Sequence, residues 1–596
     1  MFAKVLVANR GEIAVRVIRA LEELEIRAVA VYSEIDRDAL HVTRAEEAYL
    51  LGPGLPAESY LNVDKLLEVA QQCGAEAIHP GYGFLAENAA FARACEEAGI
   101  AFIGPPAGAI EAMGSKTAAR DLMEKAGVPI VPGTTEPVKT VDDARQAIDE
   151  TIGYPVAIKA ASGGGGKGFR VALEESELDA AFEGAAREGE KFFSDDTVYL
   201  ERYLPDPRHV EVQVLADAHG NVIHLGERDC SVQRRHQKLI EEAPGPAVDE
   251  ELRARIGAIA VDAAKAVGYR SAGTVEGLLS EHEGEYFFLE MNTRIQVEHC
   301  VTEMVTGVDI VREQVRIAAG EELGIAQDQV ALAGHAIECR INAEVAAKGF
   351  APSPGLIEGY REPAGPGVRV DSGVGPGSEI TPMYDPMVAK LIVWDTDREG
   401  ATRRMLRALG EYEIGGLRTL IPFHEALLRT EQWARGETCR DLIEDKKWLK
   451  TIPVPDAVSN PSADEEDPAP LEQDYTVEVS GRRFDVKVIG PPAGGAVNGA
   501  TSTPGDFFAP TKRRVRAAKG AGPGGDSLAS PLQGTVLRVS VEEGKPVEEG
   551  GLICVIEAMK MENEITAHKA GTVAELPIAV GASVASGDTL AVIKDG

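Results

Sequence analysis

Cysteine is sparse in this chain, and no two cysteines form a Cys-x-x-Cys pair. The seven present, Cys73, Cys95, Cys230, Cys300, Cys339, Cys439 and Cys554, are scattered over 596 residues. That spacing excludes a disulfide framework and a zinc knuckle, and it suits reduced thiols in a cytoplasm. No apolar run approaches the ~20 residues that a membrane-spanning helix needs. A strand-like run, Lys4-Val5-Leu6-Val7, begins almost at residue 1 and leaves no room for a signal or transit peptide. Basic residues are outnumbered, 61 against 96 acidic ones, giving a net charge of −35. Such a field repels nucleic acid and anionic membranes, so neither is expected as a partner. The turn after the first strand, Ala8-Asn9-Arg10-Gly11, has one glycine and lacks Gly-x-Gly-x-x-Gly, which argues against dinucleotide binding there.

What is present is a globular composition, 44% hydrophobic and 26% charged, in a chain too long for a single core. Near the N-terminus, Ile13, Val17, Leu21 and Leu24 recur at helical spacing between strands over 4–7 and 28–32, a βα pattern. The loop 79–88 gathers polar, aromatic and turn residues and suits a substrate-facing role. A strand over 155–159 leads into the glycine tract 163–166, Lys167 and Gly168. Residues 451–473 are acidic and proline-rich and cannot build a core. Two alternating runs, 475–479 and 484–488, flank Gly481 and predict a hairpin. Residues 490–527 are rich in glycine, proline and alanine, and the basic patch at 512–516 reads as a solvated run.

The last segment repeats itself. Gly534-Thr535-Val536, Gly544, Val547 and Gly550 recur 37 residues later as Gly571-Thr572-Val573, Gly581, Val584 and Gly587. Short apolar runs between glycine turns predict strands, and two copies make one small β-sandwich with internal two-fold symmetry. Lys560 falls at the junction, in Glu557-Ala558-Met559-Lys560-Met561-Glu562, where a hairpin tip would hold it out in solvent. Most lysines are simply solvated, but two apolar methionines beside a tip lysine look like an attachment point for a prosthetic group. A lipoyl carrier shares this fold but usually sets its lysine beside an acidic residue.

Three clusters carry chemistry in the large domain. The glycine tract exposes backbone N–H groups suited to phosphate oxygens, and Lys159 precedes it. It is not a Walker A loop, because Gly168 follows Lys167. In Phe288-Leu289-Glu290-Met291-Asn292-Thr293-Arg294-Ile295-Gln296-Val297-Glu298-His299, an extended start points Glu290 and Asn292 the same way, with Arg294 next if the strand continues. These oxygens suit Mg²⁺, and Glu276, ending another apolar run, is a second carboxylate for it. The run 227–238 concentrates Arg228, Arg234, Arg235, His236 and Lys238, apt for phosphate or bicarbonate. Cys230 has no adjacent base and is not expected to be a nucleophile, and His41 and His424 stand in no motif.

With these motifs the chain resembles the biotin-dependent carboxylases, specifically the biotinylated α subunit of bacterial acyl-CoA (acetyl- or propionyl-CoA) carboxylases. Ala558-Met559-Lys560-Met561 stands as the biotinyl motif of that family. The resemblance implies an α/β fold: a Rossmann-like biotin carboxylase N-terminal domain (1–113), an ATP-grasp domain (114–330) and a biotin carboxylase C-terminal domain (331–446). A linker with a short docking hairpin (447–527) and an all-β biotinyl domain (528–596) follow. It also implies site roles. Lys116, Lys159, Gly165, Gly166, Glu201, Arg202, Tyr203, Leu204, His209, Gln233 and His236 would bind ATP. Glu276, Glu290 and Asn292 would hold Mg²⁺ or Mn²⁺. Lys238, Arg294, Gln296 and Val297 would bind bicarbonate, Glu298 would be the base, Arg340 would meet the biotin enolate, and Lys560 would carry biotin.

On that reading ATP activates bicarbonate as carboxyphosphate, and Glu298 removes the bicarbonate proton. The ureido nitrogen of biotin attacks after deprotonation, with Arg340 stabilising the resulting enolate oxyanion. Tethering on Lys560 makes the delivery intramolecular. No segment resembles a carboxyltransferase, so the expected partners are separate carboxyltransferase β subunits in a hetero-oligomer, and a biotin protein ligase. The acceptor stays open between acyl-CoA and, with the same half-reaction, pyruvate or methylcrotonyl-CoA. A lipoyl-carrying ligase and a catalytically dead scaffold are the other classes. The methionines oppose the first, and no broken catalytic position supports the second.

Overall fold

The computed structural model describes residues 1–455 except 115, 135, 161–168, 194–196, 235–236 and 281–283. It further describes strands within 471–490, and residues 526–594 except 531–533, 559–560, 581 and 585–587. Its first unit is a parallel sheet in the order β3-β2-β1-β4-β5: β1 Lys4–Val7, β2 Arg27–Ser33, β3 Glu47–Gly52, β4 Ala77–His79 and β5 Ala101–Phe102. All four residues of β1 are buried, as expected of a strand covered on both faces. Helix α1 (Gly11–Glu23) buries Ile13, Val17 and Leu21 at the predicted spacing. It starts on Gly11 at φ +65, a left-handed value that favours glycine.

A small antiparallel sheet, β7-β6-β8, follows: β6 Val156–Ala160, β7 Phe169–Ala172 and β8 Val198–Arg202. The expected strand over 155–159 is β6, shifted by one residue because Pro155 lacks the N–H a ladder needs. The glycine tract between β6 and β7 lies outside the described residues.

The centre is an eight-stranded sheet in the order β13-β12-β9-β10-β11-β14-β16-β15. Its strands are β9 Arg208–Ala216, β10 Val222–Arg234, β11 Gln237–Ala243, β12 Ser271–Ser280, β13 Glu285–Asn292, β14 His335–Asn342, β15 Val368–Ser372 and β16 Met387–Asp395. Pairing of β11 with β14 carries the sheet without a break from the 208–292 segment into the 335–395 segment. On one face Val210, Val212 and Val214 pack with Ile256, Ala260 and Ala263 of helix α2 (Glu250–Ala266), which Asp249 caps. Toward the other face, Leu215, Leu225 and Ala272 join Ile13, Val17 and Leu21 of α1. Every residue of β9 is therefore buried, including the polar Arg208, His209, Glu211 and Gln213. The enclosed face that carries His209, Glu211 and Gln213 is where the site forms.

The expected hairpin is present as β17 (Leu471–Val479) and β18 (Arg482–Gly490). It is longer than the alternating runs because the polar Glu472-Gln473-Asp474 stays in register, Asp474 opposite Lys487. The C-terminal unit has two four-stranded sheets, β19-β26-β24-β21 and β23-β22-β20-β25. Its strands are β19 Ser527–Ala529, β20 Gly534–Val539, β21 Pro546–Val547, β22 Leu552–Ala558, β23 Met561–Thr566, β24 Gly571–Glu575, β25 Ser583–Val584 and β26 Thr589–Lys594. Equivalent positions of the repeat, Val536 with Val573 and Ile556 with Ile593, meet in its core. Ala558 pairs with Met561, and Met559 and Lys560 between them lie outside the described residues. Among the described residues, no helix is long and apolar enough to cross a membrane.

Candidate active site

The site is assembled where β9, β10–β11, β12–β13 and the segment 293–298 meet. Its centre is Lys238 at the start of β11. The ammonium donates to Glu211, to Glu276 Oε1 at 3.0 Å and to Glu298 Oε1 at 2.5 Å. The register explains the gathering: Glu211 on β9 pairs with Glu276 on β12, and Glu276 in turn with Glu290 on β13. Burial opposes the charge on Lys238, but Glu211 and Glu298 outweigh it and hold the amine firmly protonated. Glu276 is held well below the usual carboxylate range, since Lys238 and His209 overcome the effect of its burial.

Glu298 stands immediately before helix α3 (His299–Thr306), where a negative charge suits the helix N-terminus. Its second oxygen accepts from Arg340 at 2.9 Å. Burial and the nearby Glu211 push the Glu298 carboxyl up, yet Lys238, Arg340 and Arg228 bring it down to about 2. It is therefore ionised and able to accept a proton. Arg340, on β14, also donates through Nε to Glu241 Oε1 at 2.6 Å. Burial lifts Glu241 to about 7 against the pull of Arg340. Arg294 is placed differently from the expectation. The strand ends at Asn292 because the Thr293 N–H turns to Glu87 Oε1 (3.0 Å). Arg294 comes back over that turn, donating to Glu87 Oε2 and to Asn292 Oδ1, each at 2.8 Å. The side chain of Gln296 donates to Glu276 Oε1 at 2.6 Å, and the carbonyl of Val297 accepts from Lys390 Nζ at 2.8 Å.

Two carboxylates opposed across neighbouring strands, with an amide beside them, fit a hard divalent cation. Asn292 Oδ1 keeps a second lone pair after accepting from Arg294, and its buried Nδ2 has no partner among the described residues. Glu276 is not the end of a run, as the sequence suggests, but the middle of β12, because the following Gly277 continues the strand through an irregular register. His209 lies 3.1 Å from Glu276 and 3.6 Å from Glu211. Burial works against its charge, but these two carboxylates push it up to about 9.

Some of the residues expected to bind ATP are among the described ones. Lys159 on β6 is paired with Glu201 on β8, and Arg120 also reaches Glu201. The backbone N–H groups of Arg202 and Tyr203 donate to Pro132 and Pro155. Leu204 joins Val131, Phe287 and the partly buried Leu278 in an apolar patch. Gln233 lies opposite Lys238 in the β10–β11 hairpin. Gly165, Gly166 and His236, and the side chain of Lys116, lie outside the described residues. The basic run 227–238 does not act as one patch. Arg228 is buried, Arg234 stacks on Phe350 at 4.8 Å, and Lys238 reaches the carboxylates. Cys230 is buried and its thiol is pushed well up, as suits a residue that is not a nucleophile. His41 and His424 are buried, each brought down to about 4 chiefly by burial.

Comparison with known proteins gives the geometry a family. Residues 1–110 match the biotin carboxylase N-terminal domain, and 115–326 the ATP-binding domain of the carbamoyl-phosphate synthase L chain. Residues 338–445 match the biotin carboxylase C-terminal domain, and 526–593 the domain of biotin-requiring enzymes. The chain is 47% identical to the biotin-dependent acyl-coenzyme A carboxylase alpha3 subunit of Mycobacterium leprae, over 99% of this chain and 98% of that one. It is 57% identical to a pyruvate carboxylase subunit of Methanothermobacter thermautotrophicus, over 75% of this chain and 90% of the relative. Among solved structures it is similar to the biotin carboxylase domain dimer of Hydrogenobacter thermophilus 2-oxoglutarate carboxylase, in complex with MgADP, ADP and bicarbonate. The TM-score is 0.68 at 52% identity, covering 75% of this chain and 99% of that one. The chain belongs to the biotin carboxylase family of ATP-dependent ligases, using ATP, Mg²⁺ and bicarbonate to carboxylate biotin, and it carries its own biotinyl domain.

Proposed function

We propose that this chain is the α subunit of an acyl-CoA carboxylase, charging biotin on Lys560 for transfer to an acyl-CoA held by separate carboxyltransferase β subunits. The observation that carries this reading is similarity from end to end, carrier included, to an acyl-CoA carboxylase α subunit. A pyruvate acceptor is the second reading, favoured by the higher identity over the first three-quarters of the chain. Hairpin 471–490 is the proposed docking element within the 447–527 linker, a biotin protein ligase modifies Lys560, and the seven free thiols suit a reducing cytoplasm.

In the proposed mechanism, Lys116, Lys159, His209, Gln233 and His236, with Gly165 and Gly166, hold ATP. Glu201, Arg202, Tyr203 and Leu204 also contact ATP, Leu204 from the apolar patch it forms with Val131 and Phe287. Glu276, Glu290 and Asn292 would hold the divalent metal, which supplies charge neutralisation at the transferring phosphoryl group. Lys238, Arg294, Gln296 and Val297 receive bicarbonate. Glu298, ionised and 2.5 Å from Lys238, takes the bicarbonate proton. Lys560 would carry biotin, whose ureido nitrogen, on losing its proton to the departing phosphate, would accept the carboxyl group of carboxyphosphate. Arg340, fixed between Glu241 and Glu298, faces the negative charge that develops on the ureido oxygen.

The test is purification from the native cell, identification of the chains that co-purify, and assay of acetyl-CoA, propionyl-CoA and pyruvate as acceptors. An acyl-CoA carboxylated by a complex with a carboxyltransferase chain is expected. Carboxylation of pyruvate alone would overturn the acyl-CoA reading.

A further inference from the structure

Arg228 has no role in the scheme above, yet its environment is built around it. The side chain is wholly buried. Nε donates to Glu211 Oε1 at 2.7 Å. One terminal nitrogen donates to Gln213 Oε1 (2.7 Å) and Thr302 Oγ1 (3.0 Å). The other donates to Thr274 Oγ1 (3.2 Å) and Gln296 Oε1 (2.8 Å). A guanidinium has five N–H donors in a rigid planar fork, and here each has an acceptor. The acceptors come from β9, β12, α3 and the segment 293–298, so one side chain from β10 pins four pieces of chain.

Two of those acceptors touch the proposed bicarbonate site directly. Glu211 holds Arg228 with one oxygen and Lys238 with the other. Gln296 accepts from Arg228 with its oxygen and donates to Glu276 with its nitrogen. A guanidinium only donates and a carboxylate only accepts, so the amide of Gln296 has one orientation. A buried arginine with a purely architectural role would have no reason to end on both flanks of the reacting centre.

We propose that Arg228 is a positioning residue for bicarbonate activation: it fixes Glu211 and Gln296, and through them Lys238 and the 296–298 segment, in the arrangement that receives the anion. The inference rests on the reading of Lys238, Gln296 and Val297 as the bicarbonate site. Three variants of the full chain separate the two claims in biotin-dependent ATP cleavage with bicarbonate and ATP varied in turn. They are Arg228→Lys, which keeps the charge and loses the fork; Thr302→Val, which removes one acceptor and no charge; and Gln296→Ala, the reference for the site.

Arg228→Lys should raise the KM for bicarbonate about 10- to 100-fold, the scale of a lost hydrogen bond to a charged group. The KM for ATP should stay within about twofold, since uniform loss would mean general disorder. Thr302→Val should shift the bicarbonate KM the same way by a smaller factor and lower the thermal midpoint modestly, because one buried guanidinium N–H loses its acceptor. If Gln296→Ala raises the bicarbonate KM while Arg228→Lys and Thr302→Val only lower the thermal midpoint, Arg228 is architectural and the proposal fails. A parallel rise of both KM values in Arg228→Lys defeats it equally. An unaltered bicarbonate KM in Gln296→Ala instead sinks the reading of the site. Should Arg228→Lys not fold, Thr302→Val decides.

Discussion

Replacing Glu298 by glutamine isolates one function, because the structure leaves its neighbours paired. The variant keeps the shape of the side chain and loses the group that accepts a proton. Removing a positioned general base costs about 10²–10⁴-fold in rate, or roughly 2.7–5.4 kcal/mol of barrier at 1.36 kcal/mol per tenfold step. Folding should suffer less. Breaking a buried ion pair costs about 3–5 kcal/mol when it strands a charge. Here Lys238 retains Glu211 and Glu276, and Arg340 retains Glu241. The assay is phosphate release from ATP by the whole chain with bicarbonate and free biotin, alongside calorimetric titration with ADP and a thermal melt. The expected result is ADP affinity like that of the parent, a small change in melting midpoint and bicarbonate-dependent ATP cleavage lowered by at least about a hundredfold. Turnover within a few-fold of the parent would remove Glu298 from the role of base. Loss of ADP binding along with turnover would show that its ion pairs, and not its basicity, were being measured.

Three further outcomes are expected. Lys560→Ala should abolish the streptavidin signal and the mass increment of biotin; lipoate on Lys560, or biotin persisting in the variant, would overturn the assignment. His424 sits 2.8 Å from the Arg340 carbonyl as a neutral imidazole, brought down to about 4 from an ordinary 6.5. Its contribution to stability is thus complete above about pH 6.5 and lost as pH falls toward 4, up to about 3 kcal/mol. Denaturant melts between pH 4 and 7 should show a shallower pH dependence in His424→Asn, and equal slopes would contradict the assignment. Deleting 475–488 should abolish acyl-CoA carboxylation and co-purification of the partner while carboxylation of free biotin continues; an intact, active complex would place docking elsewhere.

Periodicity made the elements legible, and local motifs made part of the site legible. Helical spacing gave α1, and the 37-residue repeat gave the two-sheet C-terminal unit, because both depend on which residues must be buried together. Glu290 and Asn292 could be paired from alternation alone. Glu211 and Gln213 could not. In His209-Val210-Glu211-Val212-Gln213-Val214 they look like the wet side of a half-exposed strand, yet packing on both faces encloses them. No short-range pattern reports the second cover. Glu87 is equally hidden: it lies in a loop whose composition suits a substrate-facing role, but its partners Thr293 and Arg294 are more than 200 residues away. The same contact ends β13 and turns Arg294 away from the expected strand continuation. Lys390 and Glu241 reach the site through strand pairings of β16 and β11, which nothing in their local sequence announces.

A chain with a net charge of −35 must still receive two anionic substrates, and the arrangement of charges shows how. At physiological salt the field of distant carboxylates is screened within about 8 Å, so the local set decides. Around the centre His209, Arg228, Lys238, Arg294 and Arg340 face Glu87, Glu211, Glu241, Glu276 and Glu298. The cations are thus held in place by partners rather than by bulk potential. Lys238 directs its three donors to three carboxylates. If Lys238 receives bicarbonate as proposed, the anion would compete for that ammonium, and withdrawing it from Glu298 would remove the largest influence keeping that carboxyl low, while burial and Glu211 would continue to push it up. Glu298, acidified at rest chiefly by Lys238, would therefore gain basicity if that ammonium turned to the substrate, which is what the proposed role as base requires.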